Sequence, residues 1–137
     1  MLEQTVNFGQ TQQMRILCVD DNDVILSTLK SAFKAAGVEV ETAYNGFNAL
    51  AKISKNPKAF HAITTDLRMP GIDGFSLIEK SRSIGYSAPI IVYAAAISPE
   101  DRERLQSLQI TQMIEKPARS SALLAAIRES LGEAGPQ

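Results

Sequence analysis

The sequence contains no tryptophan, only one cysteine and no long apolar run, and each absence excludes a class of protein. A single cysteine, Cys18, cannot form an intramolecular disulfide framework. No apolar stretch approaches the roughly 20 residues that a membrane-spanning helix needs, and residues 1–13 lack the apolar segment of a secretory signal peptide. The formal net charge of −1 gives no indication of a nucleic-acid-binding surface. We therefore expect a soluble, cytoplasmic protein with an aliphatic core.

Aliphatic residues are plentiful, and the 137 residues are enough for one domain with a buried core. We expect a flexible N-terminal arm over residues 1–13, because this stretch is polar and lacks apolar periodicity. The folded domain then covers residues 14–131, and residues 132–137 form a tail. Cys18 falls inside an apolar run and is interpreted as a small buried residue rather than as a reactive thiol.

Five short apolar runs predict five β-strands, because each is too short for a helix and is bounded by turn-forming residues. They cover residues 15–19, 38–43, 62–65, 89–93 and 112–114. Each is followed by a segment with apolar residues at helical spacing, so strands and helices alternate along the chain. This alternation predicts an α/β fold with a parallel, doubly wound sheet and right-handed crossovers, while periodicity alone leaves the strand order open.

Residues that commonly start helices precede the five helical segments. The helices are expected to begin near Asp21 or Asn22, Asn45-Gly46, Asp73-Gly74, Ser98-Pro99, and Ser120 or Ser121. The fourth helix, to about residue 107, has a strong start signal, which is a capping serine followed by proline and acidic residues. It is also highly charged, so we expect it to dock only weakly on the rest of the domain.

Carboxylates stand at the ends of two predicted strands. Asp66 follows residues 62–65, and Asp20 and Asp21 follow residues 15–19. Ligands of open parallel sheets bind just outside the carboxyl ends of the strands, and three carboxylates in so small a space call for a cation. Their hard oxygen atoms suit Mg²⁺. Lys116, which follows the last predicted strand, would bring positive charge to the same rim.

Three pieces of sequence occur in a characteristic order and spacing, each at a predicted strand end. They are Val19-Asp20-Asp21-Asn22, Asp66 with the segment Met69-Pro70-Gly71-Ile72-Asp73-Gly74, and Lys116-Pro117. Together they resemble the receiver domain of two-component response regulators, in particular the stand-alone receivers of the chemotaxis-regulator type. The resemblance covers residues 14–131 and implies a flavodoxin-like sheet with strand order 2-1-3-4-5.

The resemblance also implies a role for each site residue. Asp66 would be the phosphoacceptor, which attacks a phosphohistidine to give an aspartyl phosphate, and Lys116 would stabilise the charge of the phosphoryl group. The Mg²⁺ ligands would be Asp21, Asp66 and the backbone carbonyl of Arg68, with Asp20 acting through a water molecule. The Lys116-Pro117 peptide bond would be cis, which aims the lysine into the site.

A receiver of this kind would take phosphate from a histidine kinase or a phosphotransfer protein and would act by binding a downstream protein target. A homodimer is a candidate assembly, and neither nucleic acid nor membrane is an expected partner. Beyond its own phosphorylation and dephosphorylation, such a protein is not expected to be an enzyme.

Two positions depart from the receiver pattern. Ala94 stands where the fourth strand of receivers normally ends in Ser or Thr, and Met113 stands three residues before Lys116, where receivers carry Tyr or Phe. In the family these two residues report phosphorylation to the distal face of the domain. Their replacement leaves a second interpretation open, which is a receiver-like interaction module that works without phosphorylation.

Two other functions are disfavoured. An aspartyl-phosphate hydrolase would have a second aspartate two residues after the nucleophile, where this chain has Arg68. A flavin carrier would have a phosphate-binding loop rich in Ser, Thr and Gly after the first strand, where this chain has Asp20 and Asp21. The single histidine, His61, lies at the opposite end of its strand from Asp66, about 16 Å away, so we do not expect it to carry phosphate.

Overall fold

The structure is a computed structural model, and it describes residues 13–132. In this part of the chain five strands alternate with five helices. The strands are β1 (Arg15–Val19), β2 (Glu39–Ala43), β3 (Ala62–Thr65), β4 (Ile90–Ala94) and β5 (Met113–Glu115). The helices are α1 (Asp23–Ala35), α2 (Gly46–Lys55), α3 (Gly74–Ser83), α4 (Pro99–Ser107) and α5 (Ser120–Ser130).

The five strands form one parallel sheet with the order β2-β1-β3-β4-β5. This confirms both the doubly wound α/β fold and the strand order that the family resemblance implies. Every residue of β3 and β4 is buried, as expected for strands of a parallel sheet that is covered on both faces. β5 is a short edge strand, and its last residue is exposed.

Each face of the sheet carries its own apolar core. Side chains alternate along a strand, so that Leu17 and Val19 point to one face whereas Ile16 and Cys18 point to the other. The first face packs against α2, α3 and α4, and the second packs against α1 and α5. Cys18 is fully buried, and burial raises the pKa of its thiol to about 12, which supports its interpretation as a packing residue.

Four helices begin at the side-chain caps that the sequence predicts. Asn22, Asn45 and Asp73 each accept a hydrogen bond from a backbone N–H of the following turn. Ser98 and Asp101 form a reciprocal capping box at the start of α4. The predicted cap of the last helix, Ser120 or Ser121, is wrong. The N-cap of α5 is Arg119, whose side chain makes no capping hydrogen bond, and Ser120 already lies inside the helix.

Three strands differ from the prediction by one residue, β2 at its start and β4 and β5 at both ends. Val38 lies outside β2, because its N–H donates to the Phe33 carbonyl at 2.9 Å in the turn that follows α1. Its side chain is nevertheless buried. β4 extends to Ala94, where the carbonyl accepts the N–H of Lys116 at 2.9 Å. β5 is correspondingly shifted to residues 113–115.

The expected arm and tail lie almost entirely outside the described residues, which exclude residues 1–12 and 133–137. Gln13, at the end of the expected arm, donates a side-chain hydrogen bond to the Gly37 carbonyl at 2.9 Å. Between residues 13 and 132, the structure contains no helix with the length and apolar character required to cross a membrane.

Candidate functional site

Two neighbouring strands, β1 and β3, bring the candidate carboxylates to the carboxyl edge of the sheet. The N–H of Asp20 bonds to the Ala43 carbonyl at 3.1 Å, and the N–H of Asp66 bonds to the Val19 carbonyl at 3.1 Å. These hydrogen bonds extend the strand pairing by one residue beyond β1 and β3. The backbone of each aspartate is therefore held by the sheet itself rather than by a free loop.

Asp20, Asp21 and Asp66 form one acidic cluster. Each can offer a carboxylate oxygen such that the three oxygens lie within 4.8 Å of one another. Asp20 is buried, Asp66 is half-buried and Asp21 is exposed. Burial raises the pKa of Asp20 despite hydrogen bonds from Lys116 and from the backbone N–H of Asn22. This set of closely spaced hard oxygen atoms has the donor chemistry that Mg²⁺ requires.

Lys116 bridges two of these carboxylates. Its Nζ donates to Oδ2 of Asp20 at 2.6 Å and to Oδ2 of Asp66 at 3.2 Å. Burial alone would lower the pKa of Lys116, but the hydrogen bond and charge of Asp20 and the charge of Asp66 raise it. The Lys116-Pro117 peptide bond is cis, as the family resemblance implies. Lys116 thus supplies a fixed positive charge beside the acidic cluster.

The loop after β3 holds the Asp66 carboxylate in place. Its Oδ1 accepts the N–H of Leu67 at 2.7 Å, while Oδ2 faces Lys116. Gly74 lies so close to Asp66 that a Cβ atom there would overlap the Asp66 carbonyl oxygen. The glycine of the sequence motif is therefore required by close approach of the backbone, and α3 starts directly behind the candidate acceptor.

Arg68 takes part in a contact that the sequence analysis missed. Its guanidinium makes two hydrogen bonds to the Asp101 carboxylate of α4, from Nη1 at 3.1 Å and from Nη2 at 2.9 Å. Hydrogen bonds from Arg68 and from the Ser98 backbone lower the pKa of Asp101 to about 2. The charged sequence of α4 predicted only weak docking of this helix. No sequence pattern connects Asp101 with Arg68, because the two residues are 33 positions apart in the chain. The metal-binding role of the Arg68 carbonyl stays a prediction.

The two positions that depart from the receiver pattern lie beside the site on β4 and β5. Ala94 is buried at the end of β4, and its side chain ends at Cβ, so it has no group that can donate a hydrogen bond. Met113 is half-buried against the core of the first face, and its Sδ lies 3.9 Å from Nη1 of Arg102. The β4–α4 loop continues with Ala95 and Ala96, both exposed.

His61 lies at the amino end of the sheet, as expected. It precedes β3 and is exposed. Its Nδ1 accepts the N–H of Arg15 at 3.0 Å, and its own N–H donates to the Arg15 carbonyl at 2.8 Å. This reciprocal contact gives the imidazole a structural role at the end of the sheet opposite to Asp66.

A family model described as the response regulator receiver domain matches residues 16–128. The chain belongs to this family. The receiver is 30% identical over 121 residues to protein PilG of Pseudomonas aeruginosa, covering 87% of this chain and 88% of PilG. It is 37% identical over 95 residues to the gliding motility regulatory protein of Myxococcus xanthus, covering 68% of this chain but 12% of that protein. The receiver thus corresponds to only a small part of some relatives.

Solved structures of receivers share the fold. The chemotaxis protein CheY4 of Vibrio cholerae superposes with a TM-score of 0.79 and is 31% identical, covering 86% of this chain and 98% of that chain. A CheY-like receiver domain protein from Methanospirillum hungatei gives a TM-score of 0.81 and is 30% identical, covering 88% of this chain and 95% of that chain. The fold of this receiver is therefore that of the CheY-like receivers.

Proposed function

We propose that this receiver acts as a stand-alone response regulator that accepts a phosphoryl group on Asp66. The observation that carries the proposal is the convergence of Lys116 on Asp20 and Asp66, at 2.6 and 3.2 Å, with Asp21 in the same cluster. A single strand-end aspartate would be unremarkable, but three carboxylates and a half-buried lysine at one sheet edge are an arrangement suited to phosphoryl transfer. The chain also covers most of the length of PilG and of CheY4.

In this proposal an oxygen of the Asp66 carboxylate attacks the phosphorus of a phosphohistidine. The new O–P bond forms as the P–N bond breaks, and the bonding electrons leave with the imidazole of the donor. The Leu67 N–H holds Oδ1 of Asp66, which orients the carboxylate. Lys116, already beside Oδ2 of Asp66, balances the negative charge that the phosphoryl group brings.

The acidic cluster fits Mg²⁺, because it offers three carboxylates whose oxygen atoms lie within 4.8 Å of one another. Asp21, Asp66 and the Arg68 carbonyl would hold the ion directly, and Asp20 would hold it through water. When bound, the ion would supply positive charge to the phosphoryl oxygens. Asp20 also fixes Lys116, so that the lysine is already oriented before the phosphoryl group arrives.

The donor in this proposal is a histidine kinase or a phosphotransfer protein, and the output is binding of a downstream protein target in the cytoplasm. A homodimer is a further candidate assembly. The protein would catalyse only its own phosphorylation and dephosphorylation.

Phosphorylation by acetyl phosphate tests the proposal directly. We expect intact mass to show one phosphoryl group on the wild-type chain with Mg²⁺ and none with EDTA, because the cation is needed to offset three carboxylates. Asp66→Asn should abolish the mass increase. Asp23→Asn is a matched control, since Asp23 is an exposed carboxylate next to the cluster, and it should be labelled like wild type. Equal labelling of Asp66→Asn and wild type would contradict the assignment.

A second candidate function is favoured by Ala94 and Met113, which lack the hydroxyl and the aromatic ring of typical receivers. In this alternative the domain binds its protein target without phosphorylation. Beryllofluoride, a phosphoryl mimic, distinguishes the two. It should change target affinity if the domain is a switch, and it should bind without changing target affinity if the domain is a constitutive interaction module.

A further inference from the structure

The Arg68 side chain is bound by a carboxylate of α4. Both of its terminal nitrogens donate to Asp101, at 3.1 and 2.9 Å. The Arg68 side chain is 63% exposed, whereas that of Asp101 is only 9% exposed. The guanidinium can therefore change partners without disturbing apolar packing, because most of it already lies in solvent.

Asp101 does not depend on Arg68 alone. Its Oδ2 also accepts the N–H of Ser98 at 3.1 Å, as part of the capping box of α4. If the guanidinium left, this hydrogen bond and the N-terminal end of the helix would still stabilise the carboxylate. Release of Arg68 would thus leave α4 capped but without its hydrogen bonds to the β3–α3 loop.

The phosphorylated site would compete for the same guanidinium. A phosphoryl group carries about −1.5 to −2 charges at neutral pH, and the planar guanidinium fork binds phosphate oxygens as well as it binds a carboxylate. Arg68 lies two residues after Asp66 in the same loop. The side chain that grips the phosphoryl group from β4 in other receivers is here Ala94, which has no donor.

We propose that Arg68 exchanges Asp101 for the phosphoryl group on Asp66, and so carries the phosphorylation signal from the β3–α3 loop to α4. This inference rests on the proposed phosphorylation of Asp66 and adds a residue that binds the phosphoryl group. The Arg68–Asp101 pair would then report phosphorylation to α4, which Ala94 and Met113 cannot do because they lack the hydroxyl and the aromatic ring. Loss of the pair on phosphorylation frees the first turn of α4 from the loop.

Competition for one guanidinium has a measurable consequence, because coupling between two sites is reciprocal. Weakening the interaction of Asp101 with Arg68 should strengthen the binding of a phosphoryl group, or of its mimic beryllofluoride, at Asp66. We expect Asp101→Asn to bind beryllofluoride with Mg²⁺ at least about 5-fold more tightly than wild type, the lower end of typical coupling between sites. Arg68→Ala should bind it more weakly than wild type. In the Arg68→Ala background, Asp101→Asn should no longer have an effect.

Arg102→Ala is the matched control. Arg102 is the next residue of α4 and forms an ion pair with Glu115, 3.7 Å away, so its removal also loosens α4 but leaves Arg68 on Asp101. Its beryllofluoride affinity should equal that of wild type. Tighter binding in Arg102→Ala, by the same factor as in Asp101→Asn, would overturn the inference and assign the effect to general loosening of α4.

A second measurement uses the wild-type chain and so does not depend on how the variants fold. The side-chain Nε–Hε resonance of Arg68 should shift when beryllofluoride and Mg²⁺ bind. Binding of beryllofluoride without a shift, or equal affinities in wild type, Arg68→Ala and Asp101→Asn, would overturn the role of Arg68 while leaving Asp66 as the acceptor. Failure of wild type to bind beryllofluoride at all would overturn the proposed function itself, and the role of Arg68 with it.

Discussion

Lys116 contacts two carboxylates whose surroundings are unequal. The Asp20 side chain is 3% exposed and that of Asp66 is 15% exposed. Both oxygens of each carboxylate accept a hydrogen bond, from Lys116 and the N–H of Asn22 at Asp20 and from Lys116 and the N–H of Leu67 at Asp66. The two therefore differ in exposure, and Asp66 lies nearer to solvent, where a donor protein can approach it. This difference in exposure favours Asp66 over Asp20 as the proposed acceptor.

Replacing Lys116 with methionine should lower the free energy of unfolding by about 3 kcal/mol, because removing one partner of a buried ion pair leaves the other charge without compensation. Adding Mg²⁺ should restore part of this loss, since the cation would take over the compensation of Asp20 and Asp66. Chemical denaturation with and without Mg²⁺ measures both effects.

Lys52→Met serves as the control for this prediction. Lys52 pairs with Glu41 at 3.4 Å, and its side chain is 39% exposed. Exposed pairs contribute only about 0–1 kcal/mol, and no Mg²⁺ effect is expected at that position. A loss in Lys116→Met no larger than in Lys52→Met would show that the lysine is not needed to balance the acidic cluster.

Strand-end residues of the site were predictable from the sequence, whereas the Arg68–Asp101 contact was not. Asp20 and Asp66 follow the buried strands β1 and β3, Lys116 follows the edge strand β5, and the topology of a parallel sheet brings such strand-end positions to one edge. The contact between Arg68 and Asp101 depends on how far α4 lies from the β3–α3 loop. That distance is set by tertiary packing, for which no local pattern carries a signal.

At the scale of elements, α4 is held mainly by polar contacts. Of its residues, Asp101 and Leu105 are buried, and Leu105 belongs to the core of the first face. The guanidinium of Arg104 lies over the Phe75 ring, 4.1 Å from its centroid. By contrast, the buried residues of α3 include Phe75, Leu77 and Ile78. The weak apolar anchoring of α4 agrees with the expectation from its charged sequence.

Amide hydrogen exchange should therefore be faster in α4 than in α3, because local opening of α4 exposes less apolar surface. Residues 102–107 and residues 77–83 of the same sample provide the comparison, since both sets donate within their helices. Slower exchange in α4 than in α3 would show that the polar contacts of Arg68 and Arg102 anchor the helix more firmly than apolar burial anchors α3.

The start of α5 is the one helix start that was predicted wrongly, and the reason is local. Arg119 has the extended backbone of an N-cap, with φ −70° and ψ 144°, but no side-chain oxygen to accept a hydrogen bond. Ser120 lies one residue too late to cap, and Ser121 lies two residues too late. Sequence preferences identified the helix, whereas the backbone conformation at residue 119 decided which residue became the cap.

Arg119→Ser should stabilise the receiver by about 0.5–1 kcal/mol, because serine supplies the missing cap and a positive charge is removed from a helix N-terminus. Thermal or chemical denaturation measures the gain. Arg119→Ala separates the two causes, since it removes the charge without adding a cap. Equal stabilities of the serine and alanine variants would show that the charge alone matters.

At the scale of the whole molecule, the side chains next to the site on β4 and β5 pack on one face of the sheet. Ala94, Met113 and Leu105 all contact the core that contains α2, α3 and α4. The core on the other face contains α1 and α5 and includes none of these side chains. A displacement at the end of β4 should therefore propagate to α4 and leave the α1 and α5 layer unchanged, because close-packed layers shift as units.

The substitution Ala94→Thr tests how much of the switch this receiver has kept. A hydrogen bond to a charged phosphoryl oxygen contributes roughly 1.5–3 kcal/mol, and moving a two-state equilibrium from mostly off to mostly on requires about 5.5 kcal/mol. The missing hydroxyl thus removes up to about half of the required bias. In wild type we therefore expect phosphorylation to proceed with a smaller change in residues 94–113 than the hydroxyl would produce, centred on the first turn of α4, where Asp101 loses Arg68.

Adding the hydroxyl should enlarge the beryllofluoride-induced chemical shift changes in residues 94–113 and tighten beryllofluoride binding by roughly 10- to 100-fold, the equivalent of that hydrogen bond. Without ligand, the buried hydroxyl at position 94 has lost its contact with water, so Ala94→Thr should be less stable than wild type by about 1–2 kcal/mol. Ala94→Val is the control, because it adds a similar volume without a donor. If wild type already shows large shift changes that Ala94→Thr does not increase, the switch is intact without the hydroxyl, and the bias must come from groups such as Lys116 and Arg68 that already surround Asp66.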